Sequence, residues 1–80
     1  MDTNELAAEL IGEGWIELVD GQIIVPVNGN KFFIRNGTVN STGQSGGCCS
    51  ALNGGTVNST NQSGGDCWAE SGGVVIICEL

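Results

Sequence analysis

The chain has 80 residues, enough for one domain, and sets two basic residues against nine acidic ones for a net charge of −7. A phosphate backbone or an anionic membrane surface calls for a basic face, so neither nucleic acid nor membrane is an expected partner. Histidine is absent, which removes the Ser-His-Asp triad, the Cys-His pair and histidine-ligated metal.

The first residues, Met1-Asp2-Thr3, lack a basic n-region, and Leu6 to Ile11 is too short and acidic for a signal-peptide core. No apolar run approaches the ~20 residues of a membrane span. The expectation is cytoplasmic synthesis without a signal peptide, with the mature form in a virion or extracellular assembly.

Asp2 to Ile11 reads as a short helix that Asp2 or Thr3 can cap, with Leu6 and Leu10 on one face. Gly12 and Gly14 stop it from growing longer. Glu5, Glu9, Glu13 and Glu17 recur every four residues, a solvated face or an acidic arm. Residues 1–13 are therefore expected to be an acidic N-terminal helix or arm, and residues 14–80 a β domain.

After Gly14 the period changes to two. Trp15 to Val19, Gln22 to Val27 and Asn30 to Arg35 read as strands, separated by Asp20-Gly21 and Asn28-Gly29 and followed by Asn36-Gly37. Asp-Gly and Asn-Gly are the pairs that type I′ hairpin turns prefer, because both central residues take positive φ. Their eight-residue spacing matches an antiparallel meander. Pro26 lacks a ladder donor, which places its strand at an edge or a bulge.

From Gly37 the chain repeats itself. Residues 37–54 read GTVNSTGQSGGCCSALNG and residues 55–72 read GTVNSTNQSGGDCWAESG, an offset of 18 residues that a third copy begins to follow at Gly73. Thr38 to Thr42, Cys48 to Leu52, Thr56 to Thr60, Asp66 to Glu70 and Val74 to Cys78 read as strands, with GQSGG and NQSGG as loops. The last strand, VVIIC, is apolar on both faces and needs cover on both, from its own core or a partner. The expected fold is mostly β: an antiparallel β-meander of short strands carrying a tandem 18-residue repeat. A small β-solenoid, with each repeat stacked on the one before, is the alternative. The repeated TVNST strands also suggest a flat threonine array of the ice-binding kind, but two copies with Asn and Ser interleaved are a poor match to it.

No catalytic constellation emerges. Lys31 is the only lysine, and the glycine runs contain neither GxxxxGK[ST] nor a GxGxxG opening a helix. The four cysteines, Cys48, Cys49, Cys67 and Cys78, include no C-x-x-C pair, so zinc is not expected. We expect no enzyme, no cofactor and no metal. In the meander, Gly72-Gly73 as a hairpin turn sets Ser71 opposite Val74 and Cys67 opposite Cys78, making Cys67–Cys78 the candidate disulfide. Cys49 and Cys67 would then flank the Thr56 to Thr60 strand about 10 Å apart. The solenoid instead stacks Cys49 on Cys67.

So small a core usually needs disulfides, metal or oligomerisation. The function expected is that of a structural protein in an assembled particle. Its most concrete form is a small decoration or cement protein on a bacteriophage-type capsid, held by protein–protein contacts in a homo-oligomer or on a shell protein. Trp15, Phe32, Phe33, Trp68, Ile76 and Ile77 are the candidate interface anchors, since aromatic and large apolar residues dominate contact energetics. A filament or tail-fibre subunit is an alternative. Another is a bacteriocin-like peptide precursor, with tandem cysteine-containing cores after Gly46-Gly47 and Gly64-Gly65.

Overall fold

The computed structural model describes residues 2–70 and 72–78, with Cys78 described by its backbone alone. Helix α1 spans Thr3–Gly12. Asp2 caps it by accepting the Glu5 N–H at 2.8 Å, which satisfies one of the orphan donors of the first turn. At the other end Gly14 takes φ 94°. Gly14 N–H then donates to Ile11 O and Trp15 N–H to Leu10 O, a Schellman stop that also sets Trp15 against Leu10.

Eight strands follow: β1 (Ile16–Glu17), β2 (Ile23–Ile24), β3 (Lys31–Ile34), β4 (Gly37–Thr42), β5 (Cys48–Ala51), β6 (Gly55–Thr60), β7 (Asp66–Ala69) and β8 (Val74–Cys78). They form two four-stranded sheets, β1-β3-β5-β7 and β2-β4-β6-β8, and every pair is parallel. This overturns the antiparallel meander. Strands that follow each other in sequence lie in opposite sheets, and each pairs with the strand one coil later. The result is a β-solenoid of about three turns.

The register explains both sequence periods. Gly37 to Thr42 lies residue for residue beside Gly55 to Thr60, and Thr56 to Thr60 beside Val74 to Cys78, so the 18-residue repeat is one coil. The eight-residue turn spacing of the N-terminal third is half a coil. Ile16 pairs with Phe32 and Ile23 with Asn40, steps of 16 and 17 residues. The positive-φ glycines serve corners between sheets instead of hairpins within one. At Gly47, φ is 77° and a Cβ would come 2.5 Å from Val27 O of the coil below. That approach is closed to any residue with a side chain. Pro26 follows β2, the edge strand of its sheet, and is fully buried.

Two apolar layers hold the coils. Between the sheets lie Leu18, Ile24, Ile34, Val39, Cys49, Ala51 and Val57, with Phe32, Cys67 and Val75 packed against them. Phe33 and Leu52 point the other way, where α1 covers them with Ala7, Leu6 and Leu10, joined by Trp15. The segment that its charge marks as an arm is thus docked through its apolar stripe. Arg35 secures it: its guanidinium bonds both Glu17 carboxylate oxygens, at 2.6 and 3.2 Å, and donates to Asn4 Oδ1 at 3.2 Å.

Candidate interaction surface at the ends of the solenoid

The corner after β4 is built around Gln44, which is wholly buried. Its amide Nε2 donates to Gly46 O, Gly47 O and Asp66 O at 3.2, 3.4 and 3.3 Å. The first two carbonyls belong to its own corner and the third to the coil above. Gln62, 18 residues on, donates to Gly64 O and Gly65 O. The glutamines of the stretches read in sequence as loop material, GQSGG and NQSGG, therefore prop their corners. Their identical placement in the two repeats was the available signal.

Sheet β2-β4-β6-β8 has an inner and an outer side set by strand alternation. Val39, Ser41, Val57 and Ser59 point inward and are buried. Thr38, Asn40, Thr42 and their partners Thr56, Asn58 and Thr60 make the outer side. The serines that interrupt the threonine pattern in sequence are turned inside. The polar array is nevertheless only two strands wide, because its outer columns end in apolar residues.

One column carries this pattern fully. Ile23 pairs with Asn40, Asn40 with Asn58, and Asn58 with Ile76. The asparagines stack amide on amide, Asn58 Nδ2 to Asn40 Oδ1 at 3.5 Å. The isoleucines at either end are 68% and 51% exposed. Val19, Val25 and Val27 extend the apolar exposure on the first coil, and Val74 and Ile77 on the last. Ile77 pairs with the buried Ser59, so it lies in an inward column and is 45% exposed. Among the described residues nothing stacks above it.

The six sequence-predicted anchors separate on this frame. Ile76 and Ile77 lie exposed on β8. Phe33 is fully buried under α1, and Phe32 packs on the inter-sheet core. Trp15 and Trp68 meet edge to face, with centroids 5.7 Å apart and planes at 84°. All four aromatics make contacts within the chain, and of them only Phe33 is fully buried.

The parallel register also removes the hairpin geometry that set Cys67 opposite Cys78. Cys67 adjoins Cys49, while the Cys78 backbone adjoins Thr60 in the other sheet, and the Cys78 side chain lies outside the described residues. Cys49 is buried and Cys67 half-buried. A hydrogen bond from Cys49 pulls the Cys67 thiol below its ordinary value against burial and Asp66. The same Cys67 contact, with burial, pushes Cys49 far up. Of this pair, Cys67 is the thiol that ionises first. While protonated it donates to Gln44 Oε1 at 2.9 Å.

An open groove of about 490 Å³ runs over the second corner past Asn28, Lys31, Cys48 and Asp66. Among the described residues no three His, Cys, Asp or Glu side chains cluster to hold a metal. No helix is long and apolar enough to cross a membrane. Comparison with protein-family models, curated proteins and solved structures gives no match.

Proposed function

We propose that the protein is a structural subunit that works by protein–protein contact through the two ends of its solenoid, the partner being another copy. The observation that carries this is the Ile23–Asn40–Asn58–Ile76 column. It is polar in the middle, where each strand has neighbours, and apolar at both ends, where the strand edges are unpaired among the described residues. An unpaired edge invites strand addition, and β8 carries neither the proline nor the charge that blunts such edges.

In its particular form we propose an assembled particle such as a bacteriophage-type virion. The decoration or cement reading rests on the small, acidic, β-rich character of the chain. Apolar residues at both ends favour the fibre or filament form of that reading. A head-to-tail contact propagates, whereas a decoration protein needs one docking face. The peptide-precursor alternative is less favoured, because Gly46 and Gly47 pack against Asn28 and Val27 of the neighbouring coil, which shields that cleavage point.

The test is sedimentation of the native chain beside Ile23→Lys and Ile76→Lys, both at exposed positions where a lysine leaves the monomer intact. Native protein should assemble, and each variant should fall to small species. Mixing the two variants should restore a dimer, since each retains the end that the other lost. A native chain that stays a folded monomer at micromolar concentration would sink the proposal. Assembly by Ile23→Lys alone, unaided by mixing, would overturn the head-to-tail form.

A further inference from the structure

We propose that Cys49 and Cys67 are an oxidation site, a thiol pair that closes to a disulfide between two adjacent coils by exchange with a small-molecule disulfide. The inference stands independently of the assembly reading.

Geometry comes first. Cys49 and Cys67 are register partners on the adjacent parallel strands β5 and β7, and such partners lie ~4.8 Å apart, within the Cα separation a disulfide spans. Both side chains point into the same inter-sheet layer. Cys48, although adjacent in sequence, pairs with Lys31 and Asp66 in a different column, and strand alternation turns it away. The pair is therefore selective.

The chemistry follows from the asymmetry of the two thiols. Cys67 is the half-buried member, on the outermost described coil, and is the one with the favoured thiolate. It attacks one sulfur of the small disulfide and expels a thiolate, leaving a mixed disulfide on Cys67. Cys49 then gives up its proton and attacks the Cys67 sulfur, expelling the second thiol. Two protein thiols are oxidised and one small disulfide is reduced to two thiols.

A second observation concerns what the disulfide leaves behind. Closing it ends the Cys67 donation to Gln44 Oε1. The repeat shows what takes its place: Ser59 Oγ donates to Gln62 Oε1 at 3.1 Å. The equivalent hydroxyl one coil down, Ser41, is buried and has no partner. Ser41 pairs with Ser59 in register and precedes Gln44 by the same three residues. With Cys67 donating to Gln44 Oε1, Ser41 Oγ is orphaned. With the disulfide formed, Ser41 takes the vacated acceptor.

The experiment incubates the native chain with oxidised glutathione, then maps it by non-reducing digestion with fragmentation that separates Cys48 from Cys49. The expected product is two hydrogens lighter, carries a Cys49–Cys67 link and melts on the order of 10 °C higher than the reduced chain. A link to Cys48 or Cys78 instead, or full alkylation of Cys49 and Cys67 after incubation, would overturn the assignment. At a fixed glutathione ratio, Ser41→Ala should lower the oxidised fraction severalfold, while Ser50→Ala, which removes the other orphaned hydroxyl, should not. Equal fractions in both variants would refute the part given to Ser41.

Discussion

Gln62 repeats Gln44 one coil later with one carbonyl fewer: Gln44 binds three, the third on Asp66 of the next coil, and Gln62 binds two of its own corner. The difference gives an ordered prediction. Gln44→Ala leaves a buried carbonyl at Gly46 and half-buried ones at Gly47 and Asp66 without their donor and should cost about 2–3 kcal/mol, whereas Gln62→Ala should cost about 1 kcal/mol. Urea denaturation of the two variants checks it, and equal costs would show that the inter-coil bond contributes little.

The corners make a second test. Gly29 and Gly47 both have positive φ, 95° and 77°, but a Cβ at Gly29 meets nothing within 4 Å. Gly29→Ala should therefore carry only the backbone penalty, ~1–2 kcal/mol. Gly47→Ala adds the collision with Val27 O and should cost at least about 1 kcal/mol more. Thermal melts of the two variants separate conformational from steric cost.

Removing residues 1–12 should do more than weaken a peripheral contact. Phe33 and Leu52 are fully buried, and α1 supplies that cover. Baring the two side chains forfeits roughly 4 kcal/mol of apolar burial. The truncated chain should unfold at lower denaturant and bind a hydrophobic dye. Unchanged stability would mean that the helix is an appendage.

Ser50 Oγ is buried without a partner. Ser50→Ala removes a desolvated hydroxyl and should be neutral or stabilise by up to about 1 kcal/mol. A loss of more than that in denaturant midpoint at constant slope would indicate a hydrogen bond that the structure does not contain.

Much of the local structure is readable from short stretches. Asp2 with Glu5 marks the helix start and Gly14 its stop, and each predicted strand is present, though β1 and β2 are much shorter than Trp15 to Val19 and Gln22 to Val27 and β3, β5 and β7 lose a residue or two at their ends. The anchors show where reading by residue type fails. Phe33 looks like a contact residue because it is large and apolar, yet α1 covers it completely, while Trp15 packs against that same layer and meets Trp68 edge to face. Gln44 and Gln62 look like loop filler. Their role depends on carbonyls that approach only when coils stack.

The sequence alone determined the period, the places where the chain turns and the strands, because the 18-residue identity, the glycines and the alternation are local or repeated in one dimension. Which strand lies beside which was decided only in three dimensions. A positive-φ glycine after Asn or Asp bends the chain equally well into a hairpin within one sheet or around a corner to the opposite one. The choice falls to contacts that no short stretch contains. Like side chains stack from coil to coil, as Asn40 on Asn58 and Val39 on Val57, and Gln44 reaches Asp66 across 22 residues. At Gly47 the coils come too close for any side chain. An antiparallel meander would pair unlike residues and forgo those contacts, so the tertiary structure takes the parallel register.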